Sequence, residues 1–395
     1  MTLDSYNFFA PTRVIFGPGS LNKLHEAPMP GTKALVVISN GKSTRANGYL
    51  DRTLAELSEA GVETVVYDQI GPNPTKEAVE QGAEVARGEK CDFVVALGGG
   101  SVLDAGKVIA MFAPQPSHDL WDYAAGSTGK RKPLDAPELP WIAITTTAGT
   151  GSEVDAGGVI SKLDTHEKIG VGSPNLFATL AIVDPELMVS VPAAFTAYQG
   201  MDALFHSLEG HISSVTNPMA DMVQMAAIKN IAEALPQAVA NGNDLLARQK
   251  MAFANTMSGY SMVVSACTSE HSMEHAMSAL HPELPHGAGL TMISLAYFEF
   301  WINKHVCDDR FVEMARALGK TDADKPEDFL DALRDLEKAA HVADLKMSDY
   351  GFTGTHEEAL EMARLARATM GGLFMCDPLP TTDEDIAGIY ERSFR

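Results

Sequence analysis

Five residues between positions 202 and 286 have the types and spacing to hold a divalent metal ion. Asp202 and His206 lie four apart in MDALFHSLEGH, His271 and His275 lie four apart in SEHSMEHAM, and His286 follows in LPHGAGL. Four residues is about one helical turn, so each pair shares a helix face. Two helices and one loop histidine can then converge on a single ion, and an Asp-plus-His set that keeps one coordination position open suits a metal-assisted catalyst. His25, His118, His211, His305, His341 and His356 show no such grouping and read as structural. Cys267, four residues before His271, is placed on the same helix face and reads as a small buried hydrophobe that could border a substrate. The 19 methionines read as core filler rather than ligands.

Two loops could bind a phosphate-bearing ligand. The apolar run Asp92–Leu97 (DFVVAL) passes into Gly98, Gly99, Gly100 and Ser101 and then into a helix-like stretch, Val102–Phe112. Glycines at a strand-to-helix turn let backbone N–H groups approach a diphosphate at the helix N-terminus. The pattern GGGSxxDxxK adds Asp104 and Lys107 on one helical face. A second loop, Thr145–Val154 (TTTAGTGSEV), also follows an apolar run. Its interleaved hydroxyls and glycines suit hydrogen bonds to phosphate, ribose or a carboxamide.

The elements that must carry these loops alternate in the first half of the chain. Apolar runs at Lys33–Ser39, Glu63–Tyr67, Asp92–Leu97 and Trp141–Thr145 are joined by helix-like stretches such as Tyr49–Ala60 and Thr75–Gly88. Buried runs separated by helices predict a parallel sheet covered on both faces. Val159–Val171 reads as a hairpin around Asp164, and Ala181–Val183 as a last strand. After about Val191 the pattern turns helical, over Ala194–Ser214, Asn217–Asn241, Asp244–Cys267, Cys307–Leu318, Pro326–Ala340 and His356–Thr369. The prolines Pro185 and Pro192 mark the change, which gives a first domain over 1–187 and a second over 188–395.

Composition narrows the function classes. With 395 residues and 45% hydrophobic side chains the chain can build a sizeable core and is not of disordered type. A formal net charge of −22 repels phosphate backbones, so nucleic acid and anionic membrane are excluded as expected partners. No apolar run reaches about 18 residues, so no transmembrane helix is predicted. The opening MTLDSYNFFAPTRVIF lacks a basic start followed by an apolar stretch, so no signal peptide is predicted. Four scattered cysteines without a CxxC pair fit reduced thiols and a cytoplasmic location.

Taken in order, FFAPTRVIFGPGSL, GPNPT, GGGSVLDAGK, TTTAGTGSEV, AIVDPEL, GMDALFHSLEG, HSMEHAM, LPHGAGL and DPLPTTDEDI resemble the iron-containing, group III alcohol dehydrogenase family over nearly the whole chain. The resemblance implies an α/β plus all-α architecture. A Rossmann-like, parallel-sheet dinucleotide-binding domain precedes an all-helical metal-binding domain of the dehydroquinate synthase-like type, with the active site in the cleft between them. It implies Asp202, His206, His271 and His286 as metal ligands and His275 as a non-ligand histidine near the nicotinamide, a candidate proton relay. It implies Gly99, Gly100 and Ser101 as diphosphate contacts, Thr146, Thr147 and Thr150 as the second cofactor loop, Asn73 and Lys168 near the cofactor, and Asp104 near its nicotinamide side. The chain departs from the family pattern at Thr145 and Ala178, where proline is common, and in the longer spacing from His275 to His286, which encloses His281.

The resemblance further implies hydride transfer between a small alcohol or aldehyde and NAD or NADP, assisted by Fe2+, with Zn2+, Ni2+ or Co2+ compatible with the same donors. The place after the first long apolar run, where an acidic residue would repel a 2′-phosphate, reads Ser39-Asn40-Gly41-Lys42-Ser43, so NADP is permitted beside NAD. A homodimer or larger homo-oligomer is the family habit. The competing readings are a hydroxyacid–oxoacid transhydrogenase and a metal-dependent, NAD-using lyase of the same superfamily.

Overall fold

The computed structural model describes residues 6–395, so the reading of the first five as part of an untargeted N-terminus lies outside the described residues. The chain divides into two compact units, one of residues 10–147 and 151–190, the other of residues 191–395 with 6–9 and 148–150.

The first unit is built on strands β1 (Arg13–Phe16), β2 (Lys33–Ser39), β3 (Glu63–Ile70), β4 (Phe93–Gly98), β5 (Trp141–Thr145), β6 (Gly157–Lys162), β7 (Glu167–Gly172) and β8 (Leu180–Val183). Six of them form a sheet in the order β1-β8-β5-β4-β2-β3, and every pairing in it is parallel. β6 and β7 pair antiparallel as a separate hairpin. The near-continuous apolar runs have a physical reason. Leu35, Val37, Val94, Ala96 and Ala143 enter one core cluster. Their alternates Val36, Ile38, Val95, Leu97, Ile142 and Ile144 enter another. Both sheet faces are therefore covered, and alternation between polar and apolar disappears. Helices α3 (Lys76–Glu89) and α4 (Gly100–Phe112) pack into the first cluster. Helix α2 (Tyr49–Glu59), preceded by the one-turn α1 (Ser43–Ala46), packs into the second.

Two expectations are corrected here. β1 is a four-residue edge strand with both ends exposed, too short to show as an apolar run. β3 continues past Tyr67 to Ile70 through the polar pair Asp68-Gln69, with a register shift against β2 between Val37 and Ser39.

Among the described residues the second unit is helical: α5 (Ala193–Ile212), α6 (Pro218–Ala240), α7 (Leu245–Val264), α8 (Ser269–Leu280), α9 (His286–Asn303), α10 (Asp308–Ala317), α11 (Asp328–Ala339), α12 (His356–Phe374) and α13 (Asp383–Ser393). The expected helices are all present, and α9 and α13 are additional. No helix among the described residues is long and apolar enough to cross a membrane.

Candidate active site

In the sheet unit Ser39, Gly99, Gly100, Ser101, Thr146 and Thr147 lie at the carboxyl ends of β2, β4 and β5. The chain steps outward from β2 to β3, then returns to lay β4 on the other side of β2, so the ends of β2 and β4 flank the point where the winding reverses. Open parallel sheets bind their ligands at such a point. Ser39 closes β2, and Gly99, Gly100 and Ser101 lead from β4 into α4. Gly99 is the N-cap of α4, and no side chain caps that helix. A Cβ on Gly99 would come within 2.9 Å of Thr147 Cγ2, so the loop leaves room for backbone only. Thr146 N–H donates to Gly98 O at 2.9 Å, which ties the two glycine-containing loops together. Asn73 sits in the turn between β3 and α3 with a φ of 50°, and Lys168 lies buried in β7 opposite Ser161. Thr150 belongs to the short segment that joins the helical unit.

Asp104, expected near the nicotinamide side of the cofactor, lies in the second turn of α4. Its half-buried carboxylate accepts from Ser152 Oγ at 2.6 Å and from Val159 N–H at 2.8 Å. It anchors the glycine-loop helix to β6. Lys107, one turn on, donates to Ser152 Oγ at 3.0 Å, to Gly157 O at 2.7 Å and to the Asp155 carboxylate.

In the helical unit, α5 carries Asp202, His206 and Glu209 on one face, α8 carries His271, Glu274 and His275, and α9 starts at His286. His286 is therefore the first residue of a helix and not a loop residue. A Cβ at Gly287 would fall 2.0 Å from Tyr198 O, so the glycine is what lets the start of α9 rest on α5. Asp202 Oδ1 lies 3.4 Å from His271 Nε2, 3.5 Å from His286 Nε2 and 3.6 Å from His206 Nδ1. Donors held tetrahedrally at about 2.0–2.1 Å from a metal stand about 3.4 Å apart, so these spacings fit a common ion. His206 Nδ1 is buried and has no hydrogen-bond partner among the described residues, the condition of a nitrogen reserved for a metal.

Carboxylates fix the other nitrogens. Glu209 accepts from His271 Nδ1, and Glu274 from His286 Nδ1, each turning the opposite nitrogen toward Asp202. Such partners orient a ligating imidazole and raise its basicity. Glu209, fully buried, also accepts from Thr268 N–H at 2.9 Å, Thr268 Oγ1 at 3.0 Å and His271 N–H at 3.3 Å. It thereby caps α8, whose orphan N–H groups and positive dipole end offset the cost of its burial. Burial holds His206 down to about 3, so its ring is neutral and able to ligate. Burial opposes charge on Asp202 and His271 as well. Around Asp202 the histidines outweigh it and hold the carboxyl well below its ordinary range. At His271 the Glu209 carboxylate outweighs it and raises the imidazole.

His275 has its ring centroid 5.2 Å from that of His286 and its Nδ1 against Met370 Sδ, and its ligand atom lies within 4.8 Å of those of Glu274 and His286. Met370 is the point where α12 kinks, with φ −129° and ψ 40°. His281, the competing histidine of the longer spacing, packs on Phe352 at 4.1 Å between ring centroids and takes no part in the cluster. Cys267 precedes α8, whose N-cap is Thr268, so it is not on the helix face of His271 as expected. Its thiol nevertheless lies beside His206 and His271. Glu209 and Glu274 were the residues missed. Their one signal was a position three residues after His206 and three after His271.

A doubly covered parallel sheet with a glycine turn at its switch point, followed by helices that gather Asp and His around one point, defines an oxidoreductase of the alcohol dehydrogenase class. The chain belongs to the iron-containing alcohol dehydrogenase family, whose model matches residues 11–185 and whose C-terminal model matches residues 196–394. A 1,3-propanediol dehydrogenase of Citrobacter freundii is 33% identical over 407 residues, with 100% of both chains covered. An NAD-dependent methanol dehydrogenase of Bacillus methanolicus is 31% identical, with 98% of this chain and 99% of that one covered. The crystal structure of an archaeal halo-thermophilic Red Sea brine pool alcohol dehydrogenase superposes with a TM-score of 0.92 at 34% identity, covering 100% of both chains. The protein is an enzyme of this class, with small-molecule substrates.

Proposed function

We propose that the protein is a metal-dependent, NAD(P)-linked alcohol dehydrogenase and aldehyde reductase that moves a hydride between a small alcohol and a nicotinamide. The observation that carries this reading is the single carboxylate oxygen of Asp202 facing three imidazole nitrogens at 3.4–3.6 Å. A divalent ion held by Asp202, His206, His271 and His286, taken as Fe2+ with Zn2+, Ni2+ or Co2+ suited to the same donors, would supply Lewis acidity toward the alcohol oxygen. Residues 1–187 serve as the dinucleotide-binding domain and residues 188–395 as the metal-binding domain, a division supported by the two family matches on either side of it. Ser39, Asn73, Gly99, Gly100, Ser101, Thr146, Thr147, Thr150 and Lys168 bind the cofactor, and Asp104 positions the glycine loop. With Ser39 and Asn40 at the end of β2 and Lys42 close in sequence, no carboxylate of that turn repels a 2′-phosphate, so NADP is accepted as well as NAD. A homo-oligomer in the cytoplasm belongs to the same reading.

His275 is the candidate proton relay, since an imidazole changes charge near neutrality and this one stands beside His286. Changing His275→Ala should lower kcat about 10²-fold while the metal content stays that of the wild type. Steady-state rates with metal analysis on the same sample check this, and an unchanged kcat removes His275 from the reaction. Changing Glu209→Gln should weaken metal binding about 10- to 100-fold by releasing His271 Nδ1. Competition with a chromogenic chelator reads that change.

The test of the whole reading is the absorbance of reduced nicotinamide during turnover, with protein prepared without oxygen and loaded with Fe2+, NAD+ or NADP+ and a panel of short alcohols and diols. A rise that chelation stops supports the proposal. Cofactor binding without any rise, over all alcohols and metals, sinks it and turns attention to a transhydrogenase or a lyase.

A further inference from the structure

Two features of the helical unit play no part in the proposed reaction: the hydroxyl of Thr268, and Asp377, the first residue of the DPLPTTDEDI motif. Thr268 is the N-cap of α8, a place where a threonine hydroxyl ordinarily accepts from the N–H of the second or third helical residue. Here it makes no such bond. The third N–H, that of His271, goes to Glu209 Oε2 at 3.3 Å, and the Thr268 hydroxyl donates to the same oxygen at 3.0 Å. Thr268 Oγ1 in turn accepts from Tyr297 Oη at 2.8 Å. Ser269 Oγ donates to Tyr297 Oη at 3.2 Å, and Asp377 Oδ1 accepts from Ser269 N–H at 2.8 Å. All five residues are buried.

We propose that Thr268 and Tyr297 are positioning residues for His271, acting through Glu209. The proposal rests on the reading of His271 as a metal ligand. A carboxylate only accepts hydrogen bonds, which fixes the direction of the chain. The Thr268 proton is committed to Glu209, so Thr268 Oγ1 must accept from Tyr297. The single phenol proton lies nearer Thr268 Oγ1 than Asp377 Oδ1, which is 3.3 Å from Tyr297 Oη. Glu209 Oε2 is thereby gripped by three donors, Thr268 N–H, Thr268 Oγ1 and His271 N–H, while Oε1 faces His271 Nδ1. Three bonds on one oxygen leave the carboxylate a single orientation, and that orientation turns His271 Nε2 toward Asp202. Bonds arranged head to tail in a buried setting also polarise one another. Without the phenol, the Thr268 hydroxyl is free to turn its proton away from Glu209. Asp377 secures the far end, tying the first turn of α8 to the segment between α12 and α13.

The test uses the full-length protein, stripped with chelator and loaded with Co2+ without oxygen. Thr268→Val should weaken Co2+ binding about tenfold in chelator competition and shift the visible absorption of the bound ion. Thr268→Ser keeps the hydroxyl and should bind as the wild type does. Tyr297→Phe keeps the ring against Phe298 and Trp301, and should weaken Co2+ binding by no more than Thr268→Val. Thr268→Val added to Glu209→Gln should cost nothing beyond Glu209→Gln alone, because both act on His271 along one path. Unchanged affinity and absorption in Thr268→Val and Tyr297→Phe overturn the proposal. Full additivity with Glu209→Gln also overturns it, since Thr268 would then serve only the general stability of α8. Failure of the wild type to bind Co2+ overturns the ligand assignment itself, which separates the two failures. If Thr268→Val does not fold, Tyr297→Phe, alone and with Glu209→Gln, decides by the same comparison.

Discussion

Asp202→Asn should leave a folded protein that no longer retains its metal and has lost at least about 10³-fold in kcat/KM, since Lewis acidity contributes several kcal/mol to the barrier and each 1.36 kcal/mol is tenfold. Asp202 Oδ1 is a single anionic oxygen that faces His206, His271 and His286 together. Replacing it with an amide keeps the shape and removes the charge that balances a divalent ion. The residue is 4% exposed, so water cannot readily stand in for it. The fold should survive, because the histidines keep their other anchors: Glu209 holds His271 and Glu274 holds His286. Metal content after dialysis, circular dichroism and steady-state rates together check the prediction. Full activity with bound metal in Asp202→Asn would remove this residue from the ligand set.

The ease with which this cluster is read from sequence follows from where its members sit. Asp202 and His206 are one turn apart on α5, and His271 and His275 one turn apart on α8, so helical spacing alone puts each pair on a face. The strands of the sheet are legible for a similar reason, because burial on both faces turns β2, β4 and β5 into unbroken apolar runs. Where tertiary packing overrides local preference, the reading fails. His286 looks like a loop residue because HGAGL puts two glycines into a first turn, each costing about 1 kcal/mol relative to alanine. The contact of Gly287 with Tyr198 O is what makes the glycine necessary there. Glu209 and Glu274 look like the solvated side of a helix until α5, α8 and α9 are packed together. Only then does a carboxylate on one helix meet a histidine on another. Asp104 was placed correctly on α4, but its direction depends on β6, which arrives more than 50 residues later.

Lys107→Met should be the most destabilising single change in the sheet unit, about 1–3 kcal/mol, because it takes a fully buried cation away from two partly buried carboxylates. Lys107 is fully buried and binds Ser152, Gly157 and Asp155, while Ser152 in turn binds Asp104. Burial already pushes Asp155 up to about 6 and raises Asp104, with the lysine opposing both shifts. In the unfolded chain Asp155 ionises near its ordinary 3.8, so between that value and about 6 the folded state keeps a proton that the unfolded state has lost. The contribution of this group is therefore most favourable at low pH and is lost as pH rises through about 6. Without the lysine that folded value climbs further. The deficit of Lys107→Met should then be larger at pH 8 than at pH 5, and Asp155→Asn added to Lys107→Met should recover part of it. Thermal unfolding at the two pH values, for the single and double variants, reads both effects. An equal deficit at pH 5 and pH 8 would mean that the methionine side chain disrupts packing and that the stranded carboxylates are not the cause. Since α4 begins at the glycine loop, the same variant should weaken nicotinamide cofactor binding even where the fold survives, and it should leave the metal affinity of the helical unit unchanged.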